Sequence, residues 1–183
     1  LLSGVNPAQI QDVNIFGANF GTNTTIPVTV EVLNSAENAQ LFVSGNTATS
    51  PGALLSSVTF EVQGTKGVEV LSSVSGTTMS AVVFAVNTVK DMTGLSATLV
   101  SATDQTSGIV MTSQAYGSDS FVSVRKISDG AFFQTFDQQG GTAVNRDTGQ
   151  DVLALVNGNL ALGDGLDVSL KSSTLNLEMS LTA

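Results

Sequence analysis

Ser123 and Lys126 have the S-x-x-K spacing by which some acyltransferases activate a serine nucleophile with a lysine. That chemistry requires both side chains on one face, as one turn of a helix provides. The surrounding residues Phe121, Val122 and Val124 alternate with polar residues as in a strand, where positions three apart point to opposite faces. We therefore interpret the spacing as coincidental and predict no catalytic pair here.

A second candidate is a calcium loop over residues 145–151, where side-chain oxygens recur at alternate positions. In a helix-loop-helix calcium site, glycine and a bidentate Glu occupy fixed positions, but here the glycine falls one place early and Val156 stands where Glu should be. Asp and Asn in turns commonly bond their own backbone instead. Turn formation is the main interpretation, also for residues 163–167, and calcium held by Asp147 and Asp151 is the alternative.

The composition excludes most other kinds of catalytic and metal-binding site. There is no histidine and no cysteine, so a Ser-His-Asp triad, imidazole or thiolate metal sites and disulfides have no side chains to form them. There is no Trp and a single tyrosine, Tyr116, although sugar sites commonly use aromatic platforms. The sequence therefore predicts no enzyme, with no catalytic, cofactor-binding or metal-binding residues. Two facing carboxylates in a deep pocket would support a glycosidase as a third-ranked hypothesis.

The charge balance limits the partners. Six basic residues stand against fifteen acidic ones, for a formal net charge of -9, and the basic residues are scattered. Phosphate binding requires several cations on one surface, so we expect no nucleic acid partner. No run of about 18 apolar residues is present, so we expect no membrane partner either.

The apolar pattern predicts an α+β fold made mostly of antiparallel β hairpins and a meander, with one main amphipathic helix near residues 78–93. Within that helix, apolar residues recur at spacings of three and four. Thr78 or Thr77 is a suitable N-cap and Gly94 a suitable left-handed end. The proposed buried face of the helix consists of Met79, Val82, Val83, Val86, Val89 and Met92.

Period-two alternation predicts the strands. The clearest are residues 28–32, with Val28, Val30 and Val32 facing inward, and a hairpin in which residues 58–62 lead into residues 68–70. Asn157 and Gly158 form a strong type I′ hairpin signal. Further strands are expected at residues 40–43, 95–99, 109–111, 121–124, 152–156, 160–162, 166–170 and 175–181.

Residues 58–127 resemble the flagellin IN motif of the surface-exposed part of bacterial flagellins and related filament proteins. The most specific matches are Ala85, Val86 and Asn87 in the helix, residues 93–97 after it and residues 116–118 in a turn. The flanks are also similar, at residues 18–21, 26–30, 151–158, 163–166 and 173–177. The long terminal helices by which flagellins polymerise have no counterpart here, so the resemblance is to the outer domain alone.

The resemblance implies the following organisation. Residues 1–25 would be a lead-in segment from the filament core, and residues 26–183 the outer flagellin domain, with the IN-type unit at 58–127 and a C-terminal β-meander at 150–183. Whether the meander is a second small lobe, joined near Asp129 and Gly149, is left open. The two ends should lie close together, and the strand at residues 28–32 should neighbour the strand at residues 175–181.

The first functional hypothesis is therefore a structural protein, an extracellular component of the bacterial flagellar filament that supports motility. Its partners would be neighbouring flagellin subunits, bound through core segments outside this chain, and the chain itself would be monomeric. The alternative is an adhesin-type binding domain, or the outer domain of a filament-cap or hook-associated protein. An adhesin would need an exposed apolar patch, for which Phe132, Phe133 and Phe136 are the candidates.

Overall fold

The computed structural model describes residues 3–48, 52–128 and 133–183. It separates into two compact units. Unit 1 comprises residues 1–37, 116–118 and 150–183, and unit 2 comprises residues 38–115 and 119–149. No helix in the described part of the chain is both long and apolar enough to cross a bilayer.

The described elements are mostly antiparallel strands. The strands are β1 (Ile10–Ala18), β2 (Val30–Asn34), β3 (Asn38–Val43), β4 (Val58–Gly64), β5 (Gly67–Ser73), β6 (Leu95–Leu99), β7 (Ile109–Tyr116), β8 (Phe121–Lys126), β9 (Thr135–Phe136), β10 (Arg146–Thr148), β11 (Leu153–Val156), β12 (Asn159–Leu160), β13 (Leu162–Asp164), β14 (Asp167–Lys171) and β15 (Leu175–Leu181). The helices are α1 (Met79–Thr88) and α2 (Lys90–Thr93), with a 3₁₀ turn at Gln105–Ser107. The predicted β-rich fold with one main helix is confirmed at this level.

Unit 1 has two sheets around its own apolar core. One sheet has the strand order β1-β15-β14-β13 and the other β12-β11-β2. The chain passes from one sheet to the other at Ala161, which is buried and whose N–H donates to the Ala154 carbonyl at 3.0 Å. The core consists of Val152, Ala154, Val156, Ala161, Val168, Leu170, Leu175, Leu177 and Met179.

The predicted C-terminal hairpins of unit 1 are confirmed. β11 and β12 pair with Val156 opposite Asn159, so Asn157 and Gly158 form the two-residue turn. Both turn residues have positive φ, 50° and 76°, as a type I′ turn requires. β14 and β15 form the expected meander, with Val168 opposite Met179.

Residues 28–32, predicted to neighbour residues 175–181, do not pair with them in a sheet, although Val30 packs against the core that contains Leu177. β15 pairs with β14 on one side and on the other with β1, a strand that lies inside the predicted lead-in segment. β2 pairs with β11 instead. The expected proximity of the two ends is confirmed, because the Thr182 hydroxyl donates to the Ala8 carbonyl at 2.9 Å.

The prediction of a half-buried strand at residues 28–32 also needs correction. The strand begins at Val30, and Val28 and Val32 are 40% and 44% exposed. Val32 alternates with Val30 in β2, which is the last strand of its sheet among the described residues, and Val28 precedes that strand. Nothing among the described residues covers these side chains completely. The apolar pattern was read correctly, but these valines are only partly buried.

Unit 2 packs α1 and two sheets around a second core. The sheets have the orders β10-β8-β4-β5 and β6-β7-β3-β9, which confirms the predicted hairpin of β4 and β5 with Gly64 opposite Gly67. The fully buried side chains include Leu41, Phe60, Val62, Met79, Val82, Val86, Leu95, Ile109, Met111 and Val122. The Phe133 ring is buried in this core and stacks on Phe60 with the ring centroids 4.6 Å apart.

The helix prediction over residues 78–93 is correct in its ends and wrong in its continuity. Thr78 caps α1 by accepting the Ala81 N–H at 3.2 Å, and Gly94 ends α2 in the left-handed conformation with φ 76°. Between them, Val89 leaves helical geometry at φ -105° and ψ 12°. This break rotates the following residues, so Met92 is 53% exposed although the uninterrupted pattern predicted burial.

Asn87 holds α1 against the edge strand β6. Its amide group donates to the Ala97 carbonyl at 2.9 Å and accepts the Ala97 N–H at 2.8 Å. β6 is the last strand of its sheet, so Ala97 has no neighbouring strand on that side. The Asn87 side chain therefore takes the place of a strand for one residue.

We expect Asn87→Ala to destabilise unit 2 by about 1–3 kcal/mol, because both backbone groups of Ala97 lose their partner in a partly buried position. Urea unfolding followed by circular dichroism at the helix band measures this, since α1 and α2 both belong to unit 2. Thr88→Ala is the matched control: it removes a hydroxyl that donates to Phe84 within the helix, and a change below about 0.5 kcal/mol is expected. Equal effects of the two substitutions would contradict the role of Asn87.

Phe133→Ala should lower the free energy of unfolding by about 3–5 kcal/mol, since it removes a buried ring and leaves a cavity against Phe60. The control Phe84→Ala truncates a ring that is 75% exposed, and we expect a change within about 0.5 kcal/mol. Thermal unfolding of both variants provides the comparison. A stable, fully folded Phe133→Ala protein would show that the stacked pair does not stabilise the core.

Candidate functional site

The S-x-x-K residues lie on a strand, as predicted. Ser123 and Lys126 are both in β8, where residues three apart belong to opposite faces. Ser123 pairs with Arg146 of β10 on one side and with Gln63 of β4 on the other. The strand geometry does not bring a serine–lysine pair together.

The calcium-loop carboxylates are engaged with backbone amides. Asp147 accepts the Gln40 N–H at 2.7 Å, within unit 2. Asp151, within unit 1, accepts the N–H groups of Ser118 and Gly165 at 2.9 and 2.8 Å and the Ser118 hydroxyl at 2.5 Å. No cluster of three or more Asp and Glu side chains suited to a metal ion occurs among the described residues. Both carboxylates bind backbone amides that are distant in the sequence, and Asp147 lies in strand β10, so the predicted bonding to their own turn is wrong at these two positions.

Asp151 is the centre of a clasp in unit 1. It joins the segment at residues 116–118 to the turn before β14 through Ser118 and Gly165. Next to it, Glu37 and Gln150 exchange backbone hydrogen bonds of 2.8 and 3.0 Å, and the Gly117 N–H also donates to the Glu37 carbonyl. Hydrogen bonds from the Ser118 hydroxyl, the Gly165 N–H and the Ser118 N–H lower the pKa of Asp151 below its ordinary value.

The outer face of the β10-β8-β4-β5 sheet carries both arginines of the chain. Arg125 makes a two-pronged ion pair with Glu61, with the closest nitrogen and oxygen 2.8 Å apart. These hydrogen bonds and the opposite charge lower the pKa of Glu61 and raise that of Arg125. The Arg146 guanidinium lies 3.7 Å from the centre of the Phe121 ring. This exposed sheet face therefore presents both charge signs, with Arg125 paired to Glu61 and Arg146 placed over Phe121.

The two described members of the candidate aromatic patch do not form an exposed surface. Phe133 is 4% exposed and Phe136 is half-buried, while Phe132 lies outside the described residues. Sequence reasoning missed the apolar side chains that are exposed. In unit 1 these include Phe16, Phe20, Leu160 and Leu162, and in unit 2 Val68, Val70 and Phe84.

An open groove of about 1510 Å³ lies in unit 1. Its walls come from β1, β2 and β15, through residues such as Val13, Ile15, Val30, Val32 and Leu177. None of the described residues that line it is Asp, Glu, Lys or Arg. The groove is therefore an uncharged, largely apolar surface on an acidic chain.

Comparison with known proteins shows a similarity of fold to solved structures. No family model matches the sequence, so the expected flagellin IN motif is not confirmed, and no curated protein matches either. Solved structures do match. The D1-D2-D3 domains of the flagellar cap protein FliD from Escherichia coli align with a TM-score of 0.58 and 17% identity, covering 97% of this chain and 52% of that one.

Two further cap proteins match similarly. The D2-D3 domains of FliD from Serratia marcescens have a TM-score of 0.58 and 14% identity, over 95% of this chain and 92% of that one. FliD (HAP2) from Pseudomonas aeruginosa PAO1 has a TM-score of 0.59 and 17% identity, over 94% of this chain and 78% of that one. The chain thus spans about half of the three-domain structure and nearly all of the two-domain structure. It has the fold of flagellar cap protein outer domains.

Protonation of Asp151 should lower the free energy of unfolding of unit 1. A carboxylate whose pKa is lowered on folding stabilises the fold above its unfolded pKa of about 3.9, and this contribution is lost as the pH falls through the folded pKa. We expect Asp151→Asn to lower the free energy of unfolding by about 1 kcal/mol at pH 7, because the group is only partly buried, and the difference from the wild type should vanish well below pH 4.

Tyrosine fluorescence measures this unfolding, since Tyr116 is the sole tyrosine, there is no Trp, and Tyr116 belongs to unit 1. The matched control is Asp164→Asn, an exposed carboxylate of the same unit, for which no loss above about 0.5 kcal/mol is expected. A difference between wild type and Asp151→Asn that persists unchanged at low pH would contradict the ionic role.

Proposed function

We propose that this chain is the outer region of a flagellar cap protein, a structural component of the bacterial flagellum located outside the cell. The single observation that carries the proposal is the alignment of nearly the whole chain with the D2-D3 domains of a cap protein at a TM-score of 0.58. Sequence similarity within that alignment is low, so the fold is the support and the function is our inference.

The organisation of the chain supports this proposal. Two compact units occur in a chain that matches a pair of cap-protein domains. Ala8 and Thr182 are hydrogen-bonded, so the first and last segments of unit 1 lie side by side, as an outer region inserted into a longer subunit requires. The matched solved structures favour the filament-cap alternative over the flagellin hypothesis. The adhesin alternative loses its main support because Phe133 is buried.

We further propose that the chain acts without catalysis. The carboxylates singled out in the sequence bind backbone amides, and the Glu61 carboxylate binds Arg125. The partners of the chain would be other subunits of the flagellum. They would bind mainly through segments outside this chain, so the isolated chain would be monomeric. Nucleic acid and membranes are not proposed as partners, given the acidic surface and the scattered basic residues.

Localisation of the full-length protein tests the proposal. An epitope tag inserted at Asn157 and Gly158, the exposed turn between β11 and β12, should be detected by immunogold electron microscopy at the free end of each filament. A second tag at Gly140, in another exposed turn, controls for disturbance by the insertion.

Other labelling patterns discriminate between the alternatives. Labelling along the whole filament would support flagellin and overturn the cap assignment. Labelling at the hook junction would indicate a hook-associated protein, and labelling on the cell body of strains without filaments would indicate an adhesin.

A further inference from the structure

The turn between β11 and β12 contains the sole Asn-Gly pair of the sequence, Asn157 and Gly158. Both residues are exposed, and among the described residues no atom beyond the chain neighbours lies within 4 Å of the position that a Cβ would take at Gly158. Asparagine is a thermolabile residue, and a following glycine has no Cβ to hinder attack by its own nitrogen on the asparagine amide. The pair is therefore a chemical candidate for deamidation.

The reaction balances as a hydrolysis. The Gly158 nitrogen gives up its proton and forms a bond to Cγ of Asn157, the bond from Cγ to Nδ2 breaks, and Nδ2 leaves with a proton as ammonia. Water then opens the resulting five-membered succinimide at either of its two carbonyl groups. The product is aspartate, or isoaspartate, in which the main chain runs through Cβ and Cγ of residue 157. Water is the only co-reactant.

The folded structure holds the Asn157 amide group by two hydrogen bonds. Its Oδ1 atom accepts the Thr29 N–H at 2.8 Å, and its Nδ2 atom donates to the Pro27 carbonyl at 3.0 Å. The Asn157 N–H also donates to the Thr29 carbonyl at 2.9 Å. Asn157 thus continues the pairing of β11 with β2 by one position beyond Val156 and Val30, and its side chain supplies the acceptor.

Ring closure is incompatible with this arrangement. The attack requires the Gly158 nitrogen to lie eclipsed with Cβ of Asn157, whereas a type I′ turn gives its first central residue a ψ of about 30°, which keeps the two atoms apart. The leaving nitrogen is also bound to Pro27. Both side-chain hydrogen bonds are exposed, so they can break in a local opening that leaves the core of unit 1 packed.

We propose that Asn157 is a site of spontaneous deamidation in the folded protein, and that residues 27–29 control the rate by releasing its amide group. The site does not depend on the flagellar assignment, since it follows from the Asn-Gly pair and the hydrogen bonds to Pro27 and Thr29 alone.

The modification in turn releases the segment before β2. In the aspartate product, a second carboxylate oxygen replaces the Nδ2 donor and faces the Pro27 carbonyl, so two acceptors meet without a hydrogen atom between them. In the isoaspartate product, the main chain gains a carbon atom, and the two-residue turn that sets Val156 opposite Asn159 loses its geometry. Either product also adds a negative charge to an acidic chain.

Peptide mapping of the 183-residue chain after incubation at mildly alkaline pH tests the proposal. Trypsin releases residues 147–171 as one peptide, since no Lys or Arg lies between Arg146 and Lys171, and fragmentation in the mass spectrometer locates the change from amide to acid. We expect Asn157 to react in the folded chain at least about tenfold more slowly than in the chain unfolded by urea. Equal rates in the two states, or no reaction at Asn157 in the folded chain, overturn the proposal.

Two variants of unit 1 distinguish local release from unfolding of the whole unit. Thr29→Pro removes the N–H that Oδ1 accepts and should accelerate deamidation of the folded chain at least about fivefold. Asp151→Asn destabilises the same unit at the clasp, outside the turn, and should change the rate by less than about twofold. Equal acceleration by both variants would show that the unit must unfold before Asn157 reacts, and the local mechanism would be wrong.

The urea dependence of the wild-type rate gives the same distinction if Thr29→Pro fails to fold. A local opening exposes little surface, so below the unfolding transition the rate should change by less than about twofold. A rate that rises in proportion to the unfolded fraction contradicts the proposal.

Amide hydrogen exchange tests the release of the segment. In the isoaspartyl protein, separated by chromatography, the Thr29 amide should exchange at least about tenfold faster than in the unmodified protein. Unchanged exchange at Thr29 would show that residues 27–29 do not depend on the Asn157 amide, which overturns their control of the reaction.

Discussion

A strand at the edge of a sheet has backbone groups on one side without a neighbouring strand. The ways in which these groups are satisfied or the edge is interrupted determine much of this structure. At β6, the Asn87 side chain of the helix satisfies both groups of Ala97. At β1, two shifts of register interrupt the edge. At β2, a shift of register lies between Val32 and Asn34, and the strand borders the groove.

The cores explain why the edges matter. The chain has no disulfide and no Trp, and its two cores consist largely of Val, Leu, Ala and Met. Small side chains bury little area each, so unsatisfied polar groups would offset a large share of the stabilisation. Specific polar contacts therefore accompany the packing, as with Asn87 in unit 2 and Asp151 in unit 1. The stacked Phe60 and Phe133 are the largest aromatic contribution among the described core residues.

Local patterns in the sequence predicted the local structure. The turn at Asn157 and Gly158, the cap at Thr78 and the helix end at Gly94 each depend on residues close in the chain, and all three are confirmed. Strands with regular alternation, such as β4 and β15, were also predicted. β1 was not, because its shifts of register break the period of two that would have revealed it.

The functional contacts were harder to predict because their partners are far apart in the sequence. Asp151 was identified, but its partner Ser118 lies 33 positions away, so a turn and a calcium site looked alike. Val32 was assigned to the core because its pattern is that of a buried strand face. The pattern gives the side on which a side chain lies, and it does not show whether the chain supplies a covering element.

The difference between an apolar pattern and actual burial has a consequence at β2. A valine row on an open edge costs free energy in water and also exposes a template for aggregation. Natural edges with such a row are commonly blunted by charge or proline, and β2 carries Glu31 and is preceded by Pro27, three positions before its first residue. Pro27 prevents pairing at its own position, since it lacks an N–H, and leaves the regular stretch from Val30 to Val32 unaffected. Within β2, the stretch in continuous register with β11 is therefore limited to Val30, Glu31 and Val32.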